Sequence, residues 1–556
     1  MWGDFMKYIK PIIFVLIVAM ALSVSAIPGK RVIGVTAFTN LSKDKDFDWL
    51  CIGIADTISY KLRNVQEYIL VDRVNVDKII GELQLSQSGL IDENTVEAGK
   101  ALGANILVVG NFQKFGNQIR ITAKIVDVQS HAVINQVQVT GSLNDIFNLQ
   151  DSIALGIIEK NDTTISTETK TKIVQNDTNN ISAYEYFVRG QKFLLYQLDY
   201  EKAIEMYQKA ISIDPNYAIA YAGLGKAYSL RSWALREYQN ITDPTLVEKS
   251  FQSSKKALSL NPNLDEAHLS LARYYQEVDE KKVPNKWALC EQETRKALEI
   301  NENNAEAYLL LSKIYAYDIP KSEMYLKQAI EKNKFLVDAQ NNLGIIYLNR
   351  GDLDTAYTYI KNAIDIDENY VIGYMNLGVI YEKRGQYDKA LEMYKMAVSK
   401  YPNYILGLRN LGIGYRNLNR LDEALEAFFK ALKIKKDDAQ TLSEIGYVYL
   451  LKAEYNKAID YFKQSLKFDP SYRYSLANLG WCLVQQGKYS EAIPYLEKAH
   501  NDNQDYAWSA GYLGWLYENK FQDANKALYW YGEALKRDPN NQDYRNAYNR
   551  LSGNYR

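Results

Sequence analysis

The chain has 556 residues, which is enough for several domains, and its formal net charge at pH 7 is only −1. This near balance excludes the broad basic field that draws in nucleic acid, so we expect no nucleic-acid partner. The three cysteines, Cys51, Cys290 and Cys482, lie far apart, which excludes metal-ligand spacing and predicts free thiols.

The amino terminus has the pattern of an export signal. Two lysines precede an apolar run at residues 11–22, and small residues typical of a cleavage site follow at 24–26. The run is shorter than the roughly 20 apolar residues that a membrane span needs. We therefore predict a signal peptide over residues 1–26, with Met6 as an alternative start. An uncleaved signal anchor stays open as the one membrane contact that we expect.

Residues 31–160 mix strand and helix patterns. The clearest strand is at 119–125, where apolar side chains alternate with polar ones, as in a half-buried antiparallel strand. Gly116 and Asn117, just before it, predict a tight hairpin turn. The other predicted elements are strand 31–38, helix 47–62, strand 68–71, two helical stretches within 74–102, strand 106–111, strand 133–139 and helix 145–158. Together they predict a layered α/β domain.

The order of four segments in this domain resembles the TolB-type amino-terminal domain, from the same broad group as the core of the curli-secretion protein CsgG. The segments are VTAFTNLS (35–42), GIADTISYKL (53–62), GANILVVGNFQKFGNQIRITAKIVDVQS (103–130) and DIFNLQDSIA (145–154). The resemblance implies an interaction domain, open to self-association, in an exported protein of the bacterial periplasm or cell envelope. The chain lacks the lipid-anchor cysteine and the long hairpins of a CsgG-like pore, so we do not expect a secretion channel.

Residues 161–182 connect this domain to the rest of the chain. They are rich in Asn, Asp, Thr and Lys and contain almost no apolar side chains. Such a composition cannot bury a core, so we predict a flexible linker.

From residue 337 onward the chain repeats with a period of 34 residues. Glycines mark the period at Gly344, Gly378, Gly412, Gly446, Gly480 and Gly514. Alanines follow the first five glycines by 12 residues, at Ala356, Ala390, Ala424, Ala458 and Ala492. Glycine inside a helix costs about 1 kcal/mol relative to alanine, so we expect each glycine to lie in close contact with the alanine of a second helix. The period predicts helix-turn-helix repeats in a solenoid.

These repeats resemble the tetratricopeptide repeat (TPR). In one repeat the matching residues are Asn376, Leu377, Gly378, Tyr381, Gly385, Tyr387, Ala390, Tyr394, Ala397 and Pro402. Looser copies begin near residue 183, so we predict about ten repeats over 183–540 and a polar carboxyl-terminal cap at 541–556. The predicted fold is thus an α/β domain followed by an all-α superhelical solenoid, an architecture that offers extended concave binding surfaces.

The resemblance implies that the first helix of each repeat lines the concave groove. Two residues before the glycine, side-chain amides recur at Asn342, Asn376, Asn410 and Asn478, and Glu444 and Tyr512 interrupt the column. Such a column can exchange hydrogen bonds with the backbone of an extended peptide, whatever its sequence. Local helix packing is the alternative.

One residue after the glycine, the side chains grow larger toward the carboxyl end. Aliphatic Ile345, Val379 and Ile413 give way to Tyr447, Trp481 and Trp515, and Trp508 and Tyr512 lie close by in the sequence. An exposed aromatic cluster in a groove is typical of a binding hot spot. Packing against the next repeat is the alternative. The pattern departs from the carboxylate clamp of chaperone-binding repeats, so we do not expect capture of an acidic carboxyl-terminal tail.

Catalytic motifs are missing from the sequence. The three histidines, His131, His268 and His500, lie in different regions, and there is no phosphate-binding glycine loop and no nucleophile elbow. We therefore predict no enzyme, no cofactor and no metal. The function that we predict is an exported scaffold that binds a protein or peptide in the groove, with the α/β domain as a second docking surface. Two alternatives are an accessory subunit of a secretion or polymer-export assembly and a regulator of a cell-envelope enzyme.

Overall fold

The computed structural model describes residues 30–42, 44–82, 93–161, 163–239, 241–502 and 507–553. The predicted signal peptide lies outside these ranges. The chain forms two compact units, the first ending at Leu343 and the second beginning at Gly344. Within the described ranges, no helix has the length and apolar character to cross a membrane.

The α/β domain is built on one mixed sheet. Its central strands run in the order β3-β1-β4-β5-β6, and the short strand β2 pairs with β4. Strand β1 is parallel to β3 and β4, whereas β4, β5 and β6 form an antiparallel meander. The strands are β1 Arg31–Val35, β2 Thr39–Asn40, β3 Tyr68–Leu70, β4 Ile106–Phe115, β5 Gln118–Asp127 and β6 Ala132–Ser142.

The predicted hairpin joins β4 to β5. Phe115 pairs with Gln118, and Gly116 has the positive φ, 55°, that this two-residue turn requires. The apolar members of the alternation are fully buried, namely Ile119, Ile121, Ala123 and Ile125. Three strand ends differ clearly from the prediction: β1 ends three residues early, at Val35, β4 continues past residue 111 to the turn, and β6 continues past residue 139 to Ser142.

Helices cover both faces of the sheet. Helices α1 (Trp49–Leu62) and α4 (Ile146–Lys160) bury the larger apolar core against one face. Helices α2 (Arg73–Glu82) and α3 (Glu93–Leu102) bury a smaller cluster against the other. This confirms the layered α/β domain predicted from the alternating patterns.

Segment 161–182 differs from the flexible linker that its composition predicts. It contains helix α5 (Thr167–Val174), whose Ile173 is fully buried in the α/β core. The ammonium group of Lys61 lies 2.5 Å from Asp151 Oδ1 and donates a hydrogen bond of 2.7 Å to the Ile173 carbonyl. One buried isoleucine and one buried ion pair therefore hold a segment that is otherwise polar.

Paired helices follow, confirming the predicted all-α solenoid. The described residues contain ten pairs, α6 Ile181–Gln191 with α7 Tyr200–Ile213, α8 Ala218–Gln239 with α9 Pro244–Leu260, α10 Asp265–Glu277 with α11 Lys286–Ile300, α12 Ala305–Ile314 with α13 Ile319–Lys332, α14 Val337–Arg350 with α15 Leu353–Ile366, α16 Val371–Lys383 with α17 Tyr387–Lys400, α18 Ile405–Asn417 with α19 Leu421–Ile434, α20 Ala439–Leu451 with α21 Tyr455–Phe468, α22 Arg473–Gln485 with α23 Tyr489–Asn501, and α24 Ala507–Asn519 with α25 Ala524–Arg537. A last helix, α26 (Gln542–Leu551), packs on α25.

The repeat glycines face a larger side chain than the alanine that we expected. A Cβ atom added at Gly378 would lie 2.3 Å from the ring of Tyr394, and one at Gly412 would lie 2.5 Å from the ring of Phe428. These aromatic residues come from the second helix of the same repeat. The missing Cβ therefore makes room for an aromatic ring in the core, which offsets the helix-propensity cost of glycine.

Within the first unit, the α/β domain contacts both ends of a four-repeat stretch. At the first repeat, the Tyr184 hydroxyl donates a 2.5 Å hydrogen bond to the Gly53 carbonyl. After the fourth repeat, the Lys334 ammonium donates a 2.6 Å hydrogen bond to the Ala101 carbonyl. The neighbouring Phe335 packs on the smaller apolar cluster of the sheet. We call residues 333–335 the docking turn.

The docking turn is expected to make the unfolding free energy of the first unit rise with pH in the alkaline range. Burial lowers the pKa of Lys334 to about 8, whereas an unfolded lysine titrates near about 10.4. Unfolding therefore takes up a proton between these pH values. Below pH 8 the folded protein bears the full cost of burying the lysine charge, and raising the pH from 8 to 10.4 removes that cost and increases the unfolding free energy. Lys334→Met removes this charge. We expect the unfolding free energy of the wild type minus that of Lys334→Met, measured with urea, to increase by about 2 kcal/mol over this window. A difference that does not change with pH would contradict the prediction.

Candidate partner-binding groove

In each repeat, one residue follows the glycine, or the small residue that replaces it in the looser repeats. These residues form a column along the first helices. The sequence reasoning began this column at Ile345, but the first unit continues it backward with Lys226 after Gly225, Arg273 after Ala272 and Lys313 after Ser312. The column therefore changes along the chain from basic to aliphatic to aromatic. Applying the same offset to the looser repeats would have identified these three basic residues from the sequence.

Two basic residues of the column, Lys226 and Arg273, are paired within the first unit. The Lys226 ammonium lies 3.3 Å from Glu306, which also binds the Arg273 guanidinium. The charge of Lys226, followed by that of Arg273, holds the pKa of Glu306 well below its usual range. Arg63 of the α/β domain lies 3.8 Å from Asp265 at the start of α10. Side chains of the same chain thus already engage this polar stretch.

The four asparagines that lie two residues before the repeat glycines differ in their environments. All four asparagines are half-buried. Asn342 belongs to the first unit and accepts a weak 3.4 Å hydrogen bond from Asn341, and Asn376 is not free of interactions either. Asn410 and Asn478, in contrast, form no side-chain hydrogen bond with any residue that the structure describes. Their amide groups are therefore available to a ligand.

Glu444, which replaces asparagine at this position in its repeat, belongs to a charge-neutral network. Arg416 binds Glu444, and its guanidinium lies 5.1 Å from the centre of the Tyr447 ring. On the same helix as Arg416, Arg409 lies 3.0 Å from Asp438. Burial raises the pKa of Glu444, and the charge of Arg416 opposes that shift. Each acid here has a basic partner, so this stretch presents no excess charge.

The structure brings three of the predicted aromatic residues together, and we call them the aromatic platform. The ring centre of Tyr512 lies 4.2 Å from that of Trp508 and 4.8 Å from that of Trp481. The two tryptophan rings are 6.2 Å apart and inclined at 64°. All three side chains are half-buried, and burial raises the pKa of Tyr512 to about 12.

Two exposed rings lie outside this cluster. Trp515 is 38% exposed and has the Lys520 ammonium 5.4 Å from its ring centre. Tyr474, which the sequence reasoning missed, is 44% exposed, and the Arg473 guanidinium lies 4.7 Å from its ring centre. Its place six residues before Gly480 matches that of Trp508 before Gly514, which was the available signal. Among the described residues, no cluster of His, Cys, Asp or Glu could hold a metal ion.

Comparison with known families assigns both parts of the chain. The family described as "Curli production assembly/transport component CsgG" matches residues 19–140. Families described as "TPR repeat" or "Tetratricopeptide repeat" match residues 195–230, 337–370, 371–404, 408–440 and 437–502. The chain is a tetratricopeptide repeat protein with an amino-terminal CsgG-like domain. The resemblances stated from the sequence are thereby confirmed.

One curated relative is a protein of Rhizobium meliloti (strain 1021) described as "Putative adenylate cyclase 3". It is 23% identical over 200 residues, which make up 36% of this TPR protein and 32% of that relative. The match therefore spans about a third of the relative's length.

Three of the solved structures similar to this chain are the following. The Cut9-Hcn1 structure of the APC/C has 18% identity and a TM-score of 0.40, covering 73% of this chain and 85% of that one. Yeast Tom70 has 15% identity and a TM-score of 0.38, covering 67% and 95%. Pseudomonas aeruginosa PilF has 20% identity and a TM-score of 0.34, covering 39% and 97%. The family models, rather than these structures, identify the repeats.

Proposed function

We propose that this TPR protein binds an extended peptide segment of a partner along the first helices of its second unit. The coarser statement, that it is a protein-interaction scaffold, follows from the repeats and the CsgG-like domain. The observation that carries the finer proposal is the pair of open amides at Asn410 and Asn478, two repeats apart in the same register. A half-buried amide without a partner gains a hydrogen bond when a peptide backbone is laid across it.

Ion pairs at the corresponding positions of the first unit favour the second unit as the binding region. In the first unit, the corresponding positions carry Lys226 and Arg273, and both basic side chains already share Glu306. A peptide would have to displace these ion pairs before it could bind there. In the second unit, the same column carries aliphatic and aromatic side chains next to the open amides.

We place this scaffold in the bacterial envelope. The sequence pattern of an export signal and the CsgG-family match at residues 19–140 support this location. We also propose that the CsgG-like domain is a second docking surface. An envelope extract is therefore the appropriate source of partners.

Affinity capture with the full chain tests the groove. The variant combines Asn410→Ala, Asn478→Ala and Trp481→Ala, and the matched control combines Met396→Ala and Phe429→Ala, which alter exposed side chains on second helices. A partner identified with the wild type is purified, and its dissociation constant is measured for all three proteins. We expect the groove variant to bind at least about 100-fold more weakly, since two hydrogen bonds and one aromatic anchor are lost.

Circular dichroism and thermal melting must first show that both variants keep the wild-type helical content and stability. The control is expected to bind as the wild type does. Equal affinity of the wild type and the groove variant would refute groove binding and redirect attention to the CsgG-like domain or to the second helices.

A further inference from the structure

The aromatic platform is too compact to hold a guest between its rings. Aromatic groups that contact each other have ring centres about 4.5–7 Å apart. Tyr512 already lies within 4.8 Å of Trp481 and 4.2 Å of Trp508, so the rings contact one another and leave no ring-sized gap between them. An aromatic cage for a cation needs an empty space between its walls, which this geometry does not provide. A ligand must therefore lie across the platform.

The platform offers hydrogen-bond donors to such a ligand. The Trp481 indole N–H forms no hydrogen bond within the described part of the chain, and an indole can only donate. Asn478, three residues earlier on the same helix, adds an open amide on the same face. A matching ligand presents carbonyl acceptors and few donors of its own.

Two basic residues stand at the ends of the helices that carry the platform, Arg473 at the start of α22 and Lys520 just after the end of α24. Arg473 lies over the ring of Tyr474, and Lys520 lies over the ring of Trp515. Neither cation forms an ion pair with a residue in the described ranges. The nearby acid Glu518, in contrast, is neutralised by Arg550. Negative groups at the ends of the ligand would therefore be attracted to this region.

We propose that the aromatic platform binds a proline-rich segment of the partner that carries acidic residues at its ends. This inference rests on the groove binding proposed above and names the chemistry of the ligand. Proline rings stack on aromatic side chains, and proline carbonyls accept hydrogen bonds while the residue has no N–H to leave unsatisfied. The polyproline II conformation exists before binding, so little entropy is lost when the segment is fixed.

Fluorescence anisotropy with labelled synthetic peptides and the full chain tests this proposal. The first probe has ten prolines between two pairs of glutamates, and the second has lysines in place of the glutamates. A third replaces the prolines with alternating serine and valine, which stay extended and keep their N–H groups. We expect the first probe to bind at least about tenfold more tightly than the other two.

Two single variants locate the probe on the platform. Trp481→Ala should weaken binding of the first probe about 30-fold, as expected for an aromatic hot spot. Asn478→Leu, which keeps the side-chain size and removes the donor, should weaken it about fivefold. Met396→Ala, which alters an exposed side chain on the second helix α17 and lies outside the proposed groove, is the control and should leave the affinity unchanged. Asn478→Leu also keeps the test decisive if Trp481→Ala fails to fold.

The outcomes separate this inference from the proposed function. Equal or tighter binding of the serine–valine probe, lost in Trp481→Ala, would overturn the proline-rich ligand but support groove binding. Preference for the lysine-flanked probe would overturn the acidic ends. Binding of the first probe that neither Trp481→Ala nor Asn478→Leu weakens would overturn the platform as its site. Failure of all three probes, with the natural partner still bound through the groove, would overturn the ligand class alone.

Discussion

Replacing Asp151 with alanine is expected to destabilise the first unit by about 3–5 kcal/mol. The side chains of Lys61 and Asp151 are only 4% and 9% exposed, and their charged atoms lie 2.5 Å apart. Removing the carboxylate leaves the lysine charge buried without its closest counter-ion. Asp151 also accepts a 3.3 Å hydrogen bond from Asn176, just after α5, and holds the Lys61 ammonium that binds the Ile173 carbonyl, so helix α5 should be released in the same variant.

Two measurements check this prediction. Urea denaturation gives the loss of unfolding free energy, and hydrogen exchange over residues 167–174 reports the release of α5. The control is the double variant Lys61→Met/Asp151→Leu, which replaces the ion pair with apolar side chains of similar size and should recover most of the loss. Wild-type stability in Asp151→Ala would show that water or another group neutralises Lys61.

A second large effect is expected in the second unit, where Tyr394→Ala should cost about 3–5 kcal/mol. Tyr394 is 1% exposed, and its ring fills the space that Gly378 leaves by having no Cβ atom. Because the helices meet across this ring, its removal opens a cavity that the backbone can only partly close. Denaturation monitored by circular dichroism measures the loss.

The matched control for this prediction is Tyr387→Ala, on the same helix. Tyr387 is 43% exposed, so its removal should cost less than about 1 kcal/mol. Equal effects of the two substitutions would mean that Tyr394 contributes helix propensity alone and that the glycine–aromatic contact does not stabilise the repeat.

Much of the fold could be predicted because its signals are local. The alternation at residues 119–125 and the Gly116–Asn117 turn fix a hairpin without reference to distant residues. The predicted linker differed because its order depends on Lys61, more than 100 residues away, which composition within the segment cannot reveal. The partner of each repeat glycine was missed because the alanine recurs as one residue type, whereas the residue that faces the glycine varies between aromatic and aliphatic side chains.

The candidate groove was less accessible to sequence reasoning. The period places asparagines in one register, yet it cannot show that Asn342 accepts a hydrogen bond from Asn341 while Asn410 and Asn478 have no hydrogen-bond partner among the described residues. Likewise, the sequence predicts aromatic residues near the carboxyl end but not that Trp481, Trp508 and Tyr512 form one cluster and Trp515 lies apart. Those distinctions depend on side-chain positions that neighbouring repeats determine together.

The contacts of the CsgG-like domain also bear on how this array can evolve. Solenoids lengthen or shorten by gaining or losing whole repeats, because each repeat contacts only its neighbours. Here the domain binds the first repeat through Tyr184 and the docking turn after the fourth through Lys334. Deleting or duplicating a repeat between these points would separate one contact from its partner. Among relatives, the repeat number is therefore expected to be constant up to the docking turn and to vary only beyond it.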